Sequence, residues 1–281
     1  MIKINKGRGV KNLKKVLLGL GLAIALAFST SPAYAYVNGW TLDLSGVGTG
    51  YGTYANIDRL VASGIATINQ DFGSDAVLSN GDTFSEASII QSMTYWTEPT
   101  ISSPMGEQNS FNLGGKKLFA YASGLSGSVY NVSGNTADYV FNPGGIVKLY
   151  LNDSLTPVGA TELAEFQLVS PSGGLGAQYN GGLGPNGTTD LTMLLNSSVD
   201  GLFTWNGLDL SDLPTGWASF GLVDTHNTIV KYTPTSNGFT MVSQSDGSFN
   251  LNVVPEPATM LLFGMGVAGL ATRLRNKKNV A

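Results

Sequence analysis

Residues 146–153 read IVKLYLND, and this octet sets the fold class. Val147, Leu149 and Leu151 fall on one side of an extended chain, with Lys148 and Tyr150 on the other. Strict alternation of this kind is the signature of a strand with one buried face. The same period recurs along the chain. LAEFQLV (163–169) puts Ala164, Phe166 and Leu168 inward and Glu165 and Gln167 outward. GSFNLNVV (247–254) puts Phe249, Leu251 and Val253 inward and Asn250 and Asn252 outward. KLFAYAS (117–123), DYVFN (138–142), LFTWNGL (202–208), ASFGLVD (218–224) and NTIVKYT (227–233) are further short runs of this type. Between them lie NPGG (142–145), PSGGLGAQYNGGLGPNGTT (171–189), DLPTG (212–216) and SNG (236–238), whose residues favour turns. WTLDLSGVGTGYGTY (40–54) fits an opening strand and a glycine-rich turn. IDRLVASGIA (57–66) or FSEASIIQSMTYW (84–96) is expected to include a short helix. The pattern predicts an all-β body, an antiparallel sandwich of jelly-roll type, over residues 36–250. The longest loop is expected near 171–190, and no internal repeat is evident.

Composition agrees with strands and turns. The chain has 281 residues, 37 of them Gly and none Cys, and only 12% are charged. Without Cys there are no disulfides, thiolate metal sites or Cys nucleophiles. The net charge of −4 hides a sharp partition. Residues 36–254 hold 5 basic and 18 acidic residues, and the remaining cations sit in the two ends. Such a body is unsuited to nucleic-acid phosphates or anionic lipid.

The N-terminal end accounts for its own charge. MIKINKGRGVKNLKK (1–15) is cationic, VLLGLGLAIALAF (16–28) is apolar, and STSPAYA (29–35) ends in Ala33-Tyr34-Ala35. Charge, short apolar core and small-x-small site together form a secretory leader, so residues 1–35 are read as a signal-peptide helix. Signal peptidase would cut between Ala35 and Tyr36. An uncleaved N-terminal anchor is the plainer alternative, and the short apolar core argues against it.

The other end is VPEPATMLLFGMGVAGLATRLRNKKNVA (254–281). Ala258 to Thr272 would make a helix of about 22 Å, short against a hydrocarbon core of about 30 Å. Val253, Val254 and snorkelling Arg273 and Arg275 extend it to a marginal transmembrane helix. Arg273, Arg275, Lys277 and Lys278 would remain cytoplasmic, which puts Pro255-Glu256-Pro257 outside. The two prolines hold that tripeptide extended, a fixed handle for a processing enzyme. GMGVAG (264–269) matches a dinucleotide fingerprint, but the chain ends before the acidic residue that motif requires. Its glycines suit close helix packing instead.

The ordered elements of residues 253–278 resemble the PEP-CTERM sorting signal of Gram-negative bacteria. The resemblance implies that an integral-membrane enzyme, an exosortase, recognises Pro255, Glu256 and Pro257. It implies Arg273, Arg275, Lys277 and Lys278 as the basic stop, and transient anchoring in the inner membrane before delivery to the cell surface or matrix. Substrates of this kind are associated with exopolysaccharide, biofilm and flocs. A permanent inner-membrane anchor is the alternative fate of the tail.

Catalytic and binding chemistry is sparse. His226 is the only histidine. A triad through His226 and Asp224 lacks any G-x-S-x-G element, and DTHNT (224–228) reads as an exposed turn. Glu162 and Glu165 could serve a glycosidase. An odd spacing of three on a strand is expected to send them to opposite faces. Asp200, Asp209 and Asp212 could help hold calcium but do not match an EF-hand, and GLGPNGTTDL (182–191) is one lone copy of a calcium-repeat-like pattern. Solvated turn carboxylates are the simpler reading, and no cofactor is expected. Trp40, Trp96, Trp205 and Trp217 are either core anchors or a sugar-stacking platform. The sequons at Asn131, Asn152, Asn186 and Asn196 are read as accidents of Asn/Ser/Thr richness. The expectation is a non-enzymatic exported matrix protein. A carbohydrate-binding module stands as first alternative and a secreted hydrolase as second.

Overall fold

A computed structural model describes residues 35–74, 77–100, 103, 106–134, 136–175 and 187–253. The fourteen strands in chain order are β1 Ala35–Tyr36, β2 Trp40–Asp43, β3 Thr53–Asp71, β4 Thr83–Thr97, β5 Gln108–Ser110, β6 Lys117–Ser133 and β7 Thr136–Phe141. They continue as β8 Ile146–Asn152, β9 Thr161–Leu175, β10 Gly187–Ser198, β11 Phe203–Trp205, β12 Leu208–Asp209, β13 Ala218–Thr235 and β14 Gly238–Val253. A 3-10 turn at Leu210–Asp212 is the only helical element among the described residues. The all-β antiparallel reading holds.

The sheet closes on itself. Its path runs through β3, β4, β6, β9, β10, β13 and β14, with β7 and β8 sharing one place between β6 and β9. β14 then pairs with β3 along twelve consecutive residues, from Gly238 opposite Asp71 to Phe249 opposite Leu60. This seam makes an eight-place barrel and corrects the sandwich expectation. The reason is strand length. β3 has 19 residues, β13 has 18 and β6 has 17, far beyond the usual five or six. Long strands coil under their own twist, and inserted residues sharpen the curl until the edges meet.

The expected helix is absent for the same reason. IDRLVASGIA lies wholly within β3 and FSEASIIQSMTYW within β4. Leu60, Ala62 and Ala66 alternate inward along β3, a period of two. NPGG does not reverse the chain either. β7 and β8 both run antiparallel to β6, so the four residues kink one long path. Gly144, at φ 113°, donates its N–H to Leu168 O, and Leu168 donates back to Gly145 O. Pro171–Leu175, read as turn, completes β9. The turn at SNG is as expected: Ser236 and Asn237 join β13 to β14. The loop between β9 and β10 and both terminal helices fall outside the described residues.

Cross-strand rows sort the two faces. Gly64, Ile90, Ala120, Leu149 and Ala164 stand side by side across five strands on the inner face. One position along, Ile65, Ile89, Tyr121, Lys148 and Glu165 form an outer row. Val147, Leu149 and Leu151 are buried as the opening octet required, as are Ala164, Phe166, Leu168, Phe249, Leu251 and Val253. Apolar residues fill the inside while Ser, Thr, Asn and Tyr are common outside. That is the reverse of a membrane barrel, which is apolar outward. Among the described residues no helix is long and apolar enough to cross a membrane.

One end of the lumen is stoppered by aromatics. β2 pairs with both β3 and β11 and brings Trp40 against Phe203 and Phe220, at centroid distances of 6.1 and 5.8 Å. Phe166 completes the group, 5.1 Å from Phe220. Towards the other end, Phe84 packs edge-on to Phe141 at 5.0 Å. Gly127 makes that packing possible. A Cβ there would stand 2.1 Å from Val140 O and 2.5 Å from the Phe84 ring. Backbone would have to move, so Gly127→Ala is expected to cost about 1–3 kcal/mol, read as a lowered urea midpoint.

Candidate functional site

Val253 is the last described residue and the last residue of the barrel. It stands opposite Ala218 of β13 on one side and Ala35 of β1 on the other. Asn252 is likewise flanked by Ser219 and Tyr36. β3 occupies the second edge of β14 as far as Phe249, and β1 takes over that edge at Asn252. Val37 secures the takeover by donating its N–H to Leu251 O at 3.1 Å, with its side chain buried in the core. The two ends of the barrel chain are therefore hydrogen-bonded neighbours. No local pattern announces this, because the partners lie more than two hundred residues apart. The residues expected to carry sorting — Pro255, Glu256, Pro257, Arg273, Arg275, Lys277 and Lys278, with Ala33 of the leader site — lie outside the described residues. Ala35 and Tyr36 of that site lie in β1.

The lumen beyond the aromatic stopper holds a cavity of about 30 Å³. That is room for about two water molecules. Small residues leave the space: Ala62, Gly64, Ala122 and Gly247 line it with Leu191 and Leu222. Its polar lining is Ser63, Glu86, Ser88, Thr189 and Ser245. Ser88 donates its hydroxyl to Glu86 Oε1 at 2.6 Å, and Tyr139 Oη meets Thr189 Oγ1 at 2.5 Å. Asp224 occupies the register position opposite Thr189 and Gly247, and His226 that opposite Gly187 and Ser245. DTHNT is thus part of β13 and not the expected turn. Gly187–Thr189 and Gly247–Ser245 pair across it, which a window of five residues does not reveal.

The outer wall revises the reading of Glu162 and Glu165. Leu149 faces Ala164 and Tyr150 faces Glu162, so Leu163 is an inserted residue. The insertion restores both carboxylates to one face. Lys148 Nζ lies 3.0 Å from Glu162 Oε2 and 2.9 Å from Glu165 Oε2. The pair expected to be split is joined by a cation. Bonds to Glu165 and Glu162 push the Lys148 ammonium well above the usual lysine range. The Asn196 amide, then Lys148, hold the Glu165 carboxyl below its ordinary 4.5. A lowered carboxylate stabilises the fold above the unfolded value, and that contribution is lost as pH falls through the folded one. Lys148→Met is expected to cost under about 1 kcal/mol near neutrality, because the network is partly exposed. The penalty should shrink below the ordinary glutamate range, as seen in urea midpoints measured across pH.

Asp209 spends its carboxylate on structure. It caps the 3-10 turn, accepting from Ser211 N at 2.9 Å and from Gly201 N at 2.5 Å. Burial pushes it up, but these bonds outweigh that and hold it below the usual range. Asp200, sharing a hydrogen bond with Asp209, is raised. Among the described residues no group of three or more His, Asp or Glu is placed to hold a metal ion. Of the tryptophans, Trp40 is wholly buried, and Trp205 packs against the core. Trp96 lies beside the Arg59 guanidinium, 5.1 Å from its carbon to the ring centroid. The sequon amides of Asn131, Asn152 and Asn196 donate to Asp138, Thr156 O and Glu165. Asn186 lies outside the described residues.

A closed, apolar-cored barrel whose last strand runs directly into the C-terminal segment is the class of protein defined so far. Residues 253–276 match the family model of the PEP-CTERM protein-sorting motif. That segment is therefore a PEP-CTERM sorting motif, and such a motif implies export, transient membrane anchoring and processing by an exosortase. No curated protein and no solved structure matches it.

Proposed function

We propose that the barrel is a non-enzymatic structural or adhesive component of an exopolysaccharide layer, biofilm or floc, delivered there by its sorting signal. The observation that carries this reading is the sorting motif that begins on the last strand of a closed barrel. The exposed wall supports it, since its hydroxyls and amides suit many weak hydrogen bonds to polysaccharide. Reading both termini of the mature protein from its host by mass spectrometry tests it. A start at Tyr36, loss of the chain beyond Val254–Pro257, and recovery in the matrix fraction are expected. An intact tail in the membrane fraction would overturn delivery.

A second reading, a carbohydrate-binding module, draws on Trp96 and Arg59. Trp96→Ala should then abolish retention on the host polysaccharide while leaving the melting temperature within a degree or two, since the ring is partly exposed and lies outside the buried core. Unchanged retention would leave the structural reading alone.

A further inference from the structure

We infer that removal of the leader precedes closure of the barrel, because closure pairs the scissile segment into the sheet as β1. The inference rests on the leader reading above. Ala35 and Tyr36, the residues on either side of the expected cut, stand in register opposite Val253 and Asn252. Val37, next in line, is 5% exposed and donates to Leu251 O. Gly39 donates to Ile57 O, and Trp40 is wholly buried. A peptidase that reads an extended segment does so through the segment's own backbone groups, as an added strand. In the closed barrel β14 already holds part of those groups, through the pairing of Ala35 with Val253 and the Val37 bond to Leu251 O. Freeing them requires Val37 to leave the core and β1 to peel from β14.

The opposing strand arrives last. β14 ends at Val253, more than two hundred residues after the cut site. At 5–20 residues per second that interval is on the order of ten to forty seconds of synthesis. Throughout it Ala35 and Tyr36 have no β14 to pair with. A chain cut in this interval closes with Tyr36 as its first residue, and β1 then finishes the edge of β14 beside the root of the sorting tail. A chain that closes uncut keeps its leader.

The test is to deplete signal peptidase in the host while the full chain is made and exported, then restore it and follow the precursor. The accumulated wild-type precursor should be cut at least about tenfold more slowly than newly made chain, an opening cost of about 1.4 kcal/mol. Val37→Pro removes the N–H that Leu251 accepts. Its accumulated precursor should be cut nearly as fast as new chain. Wild-type precursor cut at the rate of new chain would overturn the inference, and so would equal slowness in both proteins. Should Val37→Pro fail to fold, hydrogen exchange on the wild-type precursor decides. Protection of the Val37 amide is expected, and exchange at the rate of an unpaired segment would overturn the inference. Product that does not begin at Tyr36 when peptidase is present throughout would remove the leader reading, and the inference with it.

Discussion

Replacing Pro255-Glu256-Pro257 with three alanines is expected to leave the protein at full length in the membrane fraction, with released product below detection. The last barrel residue, Val253, is held on both sides by Ala218 and Ala35, and the motif begins on it. Only Val254 separates the barrel from Pro255. The processing enzyme must therefore act within a few residues of the last barrel strand. Proline lacks a backbone N–H and disfavours helix, whereas alanine favours it, so the triple variant removes both the charge and the backbone restriction of the motif. The substitutions lie beyond every paired residue, so the urea midpoint of the body should not move. Normal release from the triple variant would show that the enzyme reads something other than this tripeptide. Western blots of membrane and medium fractions with an antibody to the body, beside one to residues 273–281, give the answer directly.

Trp40→Ala is expected to have the largest effect on stability, about 3–5 kcal/mol. The side chain is wholly buried where β2 crosses the end of the barrel. It meets Phe203 and Phe220 edge-on and donates from Nε1 to Asp58 O at 3.4 Å. Removing it opens a hole between strands far apart in sequence, which the stiff barrel end cannot close. Domains of this kind have about 5–15 kcal/mol in hand, so a large share of the variant's stability is lost. Urea unfolding followed by far-ultraviolet circular dichroism measures it. A loss below about 1 kcal/mol would mean that the β2 annex is not part of the cooperative unit.

Much of this architecture was legible as local period. Each strand face read from alternation, from Val147-Leu149-Leu151 to Phe249-Leu251-Val253, is the face that is buried. What misled was everything that depends on a neighbour. Glu162 and Glu165 change from opposite faces to one because of Leu163, and an inserted residue is visible only against the partner strand. β3 and β4 drew a helical expectation because Ala, Ser and Ile suit either structure until cross-strand pairs decide. NPGG carries every mark of a turn, yet the strand beyond it continues beside the same partner. Barrel and sandwich differ only in whether β14 meets β3, a pairing across nearly two hundred residues that leaves no mark on either segment. The C-terminal sorting segment was legible at once, since its features are contiguous and owe nothing to the fold. The lumen and the meeting of β1 with Asn252 and Val253 had no such signal.

The scarcity of cations in the barrel has a consequence for its encounters with proteases. Proteases that cut after Lys or Arg would find five such residues between Tyr36 and Val254. Arg59, Lys117, Lys148 and Lys231 lie in strands paired to their neighbours, and Lys116 alone stands in a turn, just before β6. A peptide bond must leave its sheet to enter such a protease, so the bonds after these four residues are cut only when their strands open. With no thiol to oxidise and so few basic cut points, the barrel offers little purchase to oxidants of cysteine or to trypsin-like proteases.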